Sequence, residues 1–343
     1  MKSTRMKPRM RFLSILTMFV TIAWVLPAHA TFPGKNGRIV FNLPPDVYTM
    51  NPDGSDVRQL TAFTDGTLID APAWSPDGKR IIFVLVPPGD AIIGQLWVMN
   101  ADGSNLHRLF SDEPGFGDYQ PDFSPDGKQV LLTRCGPVNC AIYRVQADGT
   151  GLTAITPFNF NEDIFDLISR YSSDGGTIAF GSFSRGGILG AIYTMGTDGS
   201  AIHRLTPAVT GAIVSDWSPD GQKLAVDSHC CNPQLSSLFV IHKDGRGISQ
   251  VTFDDGTFVD DGASWSPQGD AIVFQRQNVK AGTAGIYILG FDGKGTRMVL
   301  QRPASALRLR RTKEIKGLLR KPAQRSLIEI ENGGFQPRWG VAQ

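Results

Sequence analysis

The chain has 343 residues, enough for one large repeat domain or two ordinary domains, and its 41% hydrophobic and 19% charged residues are typical of a globular protein. The formal net charge is +2, but basic residues concentrate at the ends: five precede residue 12 and nine lie in residues 301–330. The intervening chain is therefore acidic, which argues against a nucleic-acid partner.

The first thirty residues are organised like a secretory signal. A basic segment ends at Arg11, an apolar run extends over residues 12–26, and Ala28-His-Ala30 matches the small-x-small pattern of cleavage sites. The apolar run is short for a membrane-spanning helix. We therefore predict cleavage between Ala30 and Thr31, a periplasmic or secreted protein, and no stable membrane span afterwards; the alternative is an uncleaved N-terminal anchor.

The next segment contains three strand-like runs, but it lacks the additional strand that precedes the equivalent three runs in later parts of the chain. Residues 36–41, 46–50 and 58–61 are rich in β-branched and aromatic side chains and are separated by turn residues. At the other end of the chain, Gly334–Gly340 contains one strand-like run that ends at Trp339. The two ends would complete each other, which would leave no open inner edge.

Between these ends, one five-residue motif returns at intervals of 46 to 49 residues. An aromatic residue is followed by Ser, by Pro or Ser, by Asp or Gln, and by Gly. A fixed period of this size indicates an array of similar units. We predict that the motif aromatics, together with the related Trp339, pack between neighbouring units. They are Trp74, Phe123, Tyr171, Trp217 and Trp265.

Each unit follows the same order. The motif turn leads into a β-rich run, a variable loop, a second run, an Asp-Gly turn and a short third run, because Pro fixes φ and Gly accepts positive φ at tight turns. Four short strands per unit, repeated around a ring, predict a β-propeller. We label the strands A to D outward from the central channel, and strand A ends at the motif aromatic.

The predicted fold is all-β: a six-bladed β-propeller of four-stranded blades over residues 31–343, closed by strands from both termini. Five blades are expected to start near residues 70, 118, 166, 213 and 260, and one is shared between the ends. Residues 301–330 interrupt the repeat, since 39 positions separate Leu300 from Trp339, against 11 to 15 elsewhere. This insertion is either a basic amphipathic segment for an anionic surface or partner or a surface insertion without a role.

The four cysteines suit an oxidising compartment. Cys135 and Cys140 flank a turn-like Gly-Pro-Val-Asn sequence between two strand-like runs, which predicts a disulfide across a hairpin. Cys230 and Cys231 are adjacent, and a vicinal bridge, free thiols and pairing elsewhere all stay open. His229 lies beside them, but its spacing indicates no orienting acid for a Cys–His nucleophile.

These repeats resemble the propeller repeats of the TolB family, WD-like units with a Ser-Pro-Asp-Gly core. The resemblance covers residues 32–300 and 334–340, and six copies stay in register. It implies a six-bladed, non-catalytic propeller in the periplasm or outside the cell that binds partner proteins, as TolB binds the lipoprotein Pal. TolB carries an α/β domain before its propeller, whereas here we expect the propeller directly after the signal, so the role of TolB in the Tol–Pal system is not expected.

Six aspartates lie just before the motif aromatics, at or near the expected start of strand A. A ring of carboxylates at the channel mouth is one kind of site for a hard cation such as calcium. The competing interpretation is that these side chains cap turns or bind loop amides, and we predict no cofactor. The six are Asp70, Asp118, Asp166, Asp216, Asp260 and Asp261.

The sequence thus predicts an exported, monomeric and non-catalytic TolB-like propeller that presents a loop-rich face to an envelope or secreted protein, with no catalytic residues. The alternative is a propeller enzyme, such as a lyase or lactonase, that uses the channel-mouth carboxylates and a divalent metal.

Overall fold

The structure is a computed structural model that describes residues 32–88, 93–137, 139–157, 164–183, 185, 190–206, 212–228, 236–253, 256–292, 295–302 and 337–342. The expected signal and its cleavage site, His229, Cys230, Cys231 and most of the 301–330 insertion lie outside the described residues. Within the described ranges, every named secondary-structure element is a strand. No helix in these ranges is long and apolar enough to cross a membrane.

The strands form six antiparallel four-stranded sheets, which confirms the predicted six-bladed propeller. Blade 1 contains β1 (Asn36–Leu43), β2 (Asp46–Met50), β3 (Arg58–Gln59) and β24 (Arg338–Val341). Blade 2 contains β4 (Leu68–Trp74), β5 (Arg80–Val86), β6 (Gln95–Asn100) and β7 (His107–Arg108). Blade 3 contains β8 (Gly117–Phe123), β9 (Gln129–Cys135), β10 (Cys140–Gln146) and β11 (Thr153–Ala154).

The remaining three blades follow the same order. Blade 4 contains β12 (Asp166–Tyr171), β13 (Thr177–Ser182), β14 (Ala191–Gly196) and β15 (His203–Arg204). Blade 5 contains β16 (Ala212–Trp217), β17 (Lys223–Ser228), β18 (Ser237–His242) and β19 (Ser249–Gln250). Blade 6 contains β20 (Phe258–Trp265), β21 (Ala271–Asn278), β22 (Thr283–Gly290) and β23 (Gly295–Arg302). Strand β23 thus continues two residues into the range expected to be insertion.

The ring closes through the two ends of the described chain, as predicted. Strand β24 is the innermost strand of blade 1 and pairs antiparallel with β1, with Trp339 opposite Ile39 and Arg338 opposite Val40. The inner edge of blade 1 is therefore supplied by residues about three hundred positions away from its other strands.

The motif turn is a hydrogen-bonded unit. In blade 2, the Ser75 hydroxyl donates to Asp77 Oδ1 at 2.6 Å and accepts the Arg80 N–H at 2.9 Å. The Pro and Gly of the motif also join neighbouring blades. Gly127 of blade 3 has φ of +69°, and a Cβ built there would lie 3.2 Å from Cγ of Pro76 in blade 2. The motif therefore shapes each turn and lets adjacent turns approach closely.

The motif aromatics pack against the preceding blade. Trp217 of blade 5 shares a buried cluster with Ala179 and Ile192 of blade 4, and Trp265 of blade 6 packs with Ala225 and Leu238 of blade 5. Since aromatic side chains bury large areas, this repeated contact supplies much of the apolar burial between blades.

The alternating strand directions define two faces of the ring. The A–B and C–D turns lie on one side, which we call the turn face. The B–C and D–A loops lie on the other side, which we call the loop face. The strand ends from which the variable connections leave, including those of the Cys135–Cys140 hairpin, therefore lie on the loop face.

Candidate functional site in the central channel

Four of the six inner strands have a residue with positive φ three positions before the motif aromatic. Ala71, Gln120 and Ile168 have φ values of 47° to 52°, and Gly262 occupies the same position in blade 6 with φ of 64°. The register of each of these four strands with strand B shifts at this point. Such bulges re-aim the side chains on either side of them, which makes the inner strands suited to carrying a site.

In three blades, the side chain directly before the motif aromatic connects adjacent inner strands. Asp122 Oδ2 accepts the N–H of Tyr171 in the next blade at 3.0 Å, and Asp216 Oδ2 accepts the N–H of Trp265 at 3.0 Å. Ser264 continues the series, since its hydroxyl accepts the N–H of Trp339 at 3.3 Å. Side chains from one repeat position thus link adjacent inner strands at three points of the ring.

Two arginines at the same repeat position meet in the channel. Arg170 of blade 4 and Arg338 of blade 1 each donate to the Ser215 carbonyl oxygen at 3.0 Å. Because blades 1 and 4 lie on opposite sides of the ring, their side chains meet near its axis. Arg338 Nη1 also lies 3.8 Å from Asp216 Oδ2. We call Asp122, Arg170, Asp216, Ser264 and Arg338 the axial cluster.

Arg170, Asp216 and Ser264 of the axial cluster are buried, whereas Asp122 and Arg338 are half-buried. The charges of the cluster influence one another. Arg170 is only 3% exposed. Burial lowers the pKa of Arg170 to about 10, and the positive charge of Arg338 acts in the same direction. Burial raises the pKa of Asp122 to about 6, while the positive charges of Arg170 and Arg338 oppose that rise. Two carboxylates and two guanidiniums therefore compensate one another inside the ring.

Further acidic groups lie on the loop-face side of this cluster. Asp227 accepts the Ser215 hydroxyl at 2.6 Å and the Gly262 N–H at 3.0 Å, and burial raises its pKa to about 6. The pKa of Asp261 is raised well above its usual value, first by burial and then by the negative charges of Asp227 and Asp260. The site thus contains carboxyl groups able to hold a proton near neutral pH.

The six aspartates singled out from the sequence do not share one environment. Three form ion pairs with arginines: Asp118 with Arg134 at 2.8 Å, Asp166 with Arg185 at 2.7 Å and Asp260 with Arg276 at 2.6 Å. Among the described residues, no three His, Cys, Asp or Glu side chains are grouped as ligands of a metal ion would be.

The other three aspartates occupy different levels of the ring. Asp70 lies within β4, and its burial raises its pKa to about 7. Asp261 lies close enough to Asp227 and Asp260 for their negative charges to raise its pKa. We expected Asp216 at or near the start of strand A, but it lies next to the last residue of that strand, Trp217, because the motif aromatic ends strand A.

Sequence reasoning missed Asp122, Arg170, Asp227 and Arg338. A signal was available for three of them, because Asp122, Arg170 and Arg338 occupy the position directly before a motif aromatic, as Asp216 does. The predicted cysteine pair is joined in the structure: Cys135 ends β9, Cys140 begins β10, and their Sγ atoms form a disulfide.

The loop face also carries exposed apolar side chains. Phe253 follows strand D of blade 5 and is 75% exposed. No other large apolar side chain among the described residues is more exposed. Val279, in the B–C connection of blade 6, is 48% exposed. Exposed apolar side chains also occur on the turn face, such as Ile248 and Phe291, but Phe253 is the most exposed of them, and aromatic residues are enriched at protein interfaces.

The fold is shared with solved structures of low sequence identity. TolB from Acinetobacter baumannii matches with a TM-score of 0.65 and 20% identity, over 89% of this chain and 67% of that chain. A TolB structure from Agrobacterium tumefaciens matches with a TM-score of 0.57 and 20% identity, over 78% of this chain and 90% of that chain. The tricorn protease matches with a TM-score of 0.57 and 17% identity, over 81% of this chain and 27% of that chain.

No protein-family model matches the chain, and no curated protein matches it. The chain therefore has the propeller fold of the TolB structures. Because a protease structure contains the same fold, the function has to be argued from the surfaces and sites of this chain.

Proposed function

We propose that this chain is an exported, non-catalytic propeller that binds a protein partner of the cell envelope or the extracellular space through its loop face. The observation that carries the proposal is Phe253, an aromatic side chain that is 75% exposed on that face. Exposing an aromatic ring to water is unfavourable, and aromatic residues are enriched at the energetic centres of protein interfaces.

Two further features support this proposal. Asp122, Arg170, Asp216 and Arg338 are engaged with one another or with the backbone, so they act as structural links between blades. The Cys135–Cys140 disulfide is of the kind that persists in oxidising compartments, which agrees with the signal-like N-terminus.

A second candidate function is acid–base catalysis on the loop-face side of the axial cluster. Asp227 has a pKa of about 6, and the pKa of neighbouring Asp261 is raised well above its usual value. A carboxyl group that is protonated near neutral pH can serve as a general acid. The lyase-like form of this candidate function would require a divalent metal. We keep acid–base catalysis as the alternative to protein binding.

The first candidate is tested by replacing Phe253 and comparing captured proteins. Tagged mature protein, Phe253→Ser and Ile248→Ser are used as baits in envelope extract of the source organism. Ile248 is a matched control, because it is 48% exposed but belongs to a C–D connection on the turn face. We expect one protein to be retained by the wild type and by Ile248→Ser and to be lost with Phe253→Ser.

Two results would contradict the binding proposal. One is that both variants retain the same proteins as the wild type. The other is turnover of a uronate or lactone substrate that is abolished by Asp227→Asn while Phe253→Ser stays fully active; this result would establish the catalytic candidate instead.

A further inference from the structure

The outermost strand of blade 6 differs from those of the other blades. Strand β23 spans eight residues, whereas β3, β7, β11, β15 and β19 span two residues each. In the described part of the chain, β23 pairs with β22 on one side and with no strand on the other. Proteins usually keep sheet edges short, because the free N–H and C=O groups of a long edge recruit further strands.

The contacts of Val299 show which backbone groups face outward. A side chain at Gly54 would meet the Val299 carbonyl, just as one at Gly245 would meet the Leu205 carbonyl, so Val299 and Leu205 are equivalent. Leu205 donates its N–H inward to Ile192 of strand C at 2.8 Å. The register of β23 with β22 shifts between Leu300 and Met298, and Met298 pairs with Tyr287 as Arg204 pairs with Tyr193 in blade 4. Because N–H directions alternate along the regular part of a strand before such a shift, the N–H of Met298 points away from β22.

The exposed side chains of this edge determine which partner it suits. Thr296, Arg297 and Met298 are all exposed, and Met298 is 48% exposed. The strand sequence contains two arginines and no acidic residue. Arg297 is held at the surface by a 3.0 Å hydrogen bond from Nη2 to the Pro52 carbonyl. A second copy of β23 would bring like charges together, whereas acidic side chains would be attracted.

We infer that the open edge of β23 binds an extended, acidic segment of a partner protein by adding it to blade 6 as a fifth strand. The main chain of the segment would bond to outward groups such as the Met298 N–H, and Arg297 would select acidic side chains. This inference rests on the proposed protein-binding function and adds to the loop face a second contact surface on the outer rim of blade 6, with the conformation and charge of the segment bound there.

The test uses the mature protein and a fluorescent ten-residue peptide of alternating Glu and Val, with binding followed by anisotropy. Met298→Pro removes an outward N–H without removing a bond to β22, and Met298→Ala is its matched control, because it keeps the N–H and shortens the same side chain. We expect Met298→Pro to weaken binding by at least about tenfold and Met298→Ala by less than about twofold. Arg297→Glu should weaken binding, and a Lys-Val peptide should not bind.

If Met298→Pro has a lower melting temperature than Met298→Ala, Thr296→Pro is used in its place. It is suitable because the N–H of Thr296 also points outward by the same alternation. The inference is overturned if the proline variant that folds binds the peptide like the wild type, or if the wild type does not bind it. It is also overturned if the wild type forms a dimer that excludes the peptide and that Met298→Pro abolishes. Retention of the Phe253-dependent partner alongside a negative peptide result would remove only this inference.

Discussion

At the scale of single residues, the glycine of the motif turn has two separate requirements. Gly127 needs its positive φ, and it also needs the space beside Pro76 of the preceding blade. In Gly151 only the first requirement exists at the same φ of +69°, since the nearest atom to a built Cβ is Gln146 Cγ at 3.7 Å. These two glycines therefore separate backbone strain from contact between blades.

We predict that Gly127→Ala is more destabilising than Gly151→Ala. A left-handed conformation alone is unfavourable by about 1–2 kcal/mol for alanine, and only Gly127→Ala should add a contact between blades. Urea unfolding of both variants measures the difference. Equal losses would show that the Pro–Gly contact contributes nothing between blades.

A second residue-scale prediction concerns pH. Burial raises the pKa of Asp70 to about 7, above the usual value that the unfolded chain would show. Between about pH 4 and 7 the folded state then binds more protons than the unfolded state, so the free energy of unfolding falls as pH rises through this window. Asp70→Asn removes this dependence.

We therefore expect Asp70→Asn to gain stability relative to the wild type as pH rises from 5 to 7, by no more than about 1.4 kcal/mol per pH unit. Urea unfolding at both pH values provides the measurement. Parallel pH profiles for the two proteins would show that Asp70 ionises normally in the fold.

At the scale of strands, a threonine two residues after strand D fixes strand C in four blades. The hydroxyl of Thr156 accepts the N–H of Ile142 at 2.9 Å, and Thr206 does the same for Ile192. Thr61 and Thr252 form the equivalent bonds in blades 1 and 5. The edge of each of these blades is thus held by a side chain where its outer strand is only two residues long.

We predict that Thr156→Val destabilises the protein by about 1–3 kcal/mol, because it leaves the buried Ile142 N–H without an acceptor. Thr153→Val is the matched control, since Thr153 lies three residues earlier in β11, is exposed and donates its hydroxyl locally to the Gly151 carbonyl. Thermal melting of both variants is the measurement. A loss in Thr153→Val as large as in Thr156→Val would mean that strand propensity, not this hydrogen bond, matters.

At the scale of the whole molecule, the axial cluster joins blades that are far apart in sequence. Removing one member of a buried charge network leaves the others uncompensated, which typically costs about 3–5 kcal/mol. We predict a loss of this size for Arg170→Met and a smaller loss for the double variant Arg170→Met/Asp122→Asn. Denaturant unfolding of both variants is the measurement, and a double variant no more stable than Arg170→Met would contradict compensation between these two groups.

The repeat made the architecture predictable and left the site largely hidden. The aromatic-Ser-Pro-Asp-Gly motif sets the turns directly, so the blades and the closing strand at Trp339 could be predicted. The axial cluster could not, because its repeat position holds different residues in different blades, such as Ala73, Asp122 and Arg170. Pairs such as Asp118 and Arg134 depend on strand register, which the aromatic spacing does not define.

Site-specific photo-crosslinking in intact cells tests the proposal that the loop face binds a protein partner. A benzophenone amino acid is placed at position 253 on the loop face or at position 248 on the turn face. We expect one discrete protein adduct from position 253 and none from position 248. No adduct from position 253, or the same adduct from both positions, would contradict it.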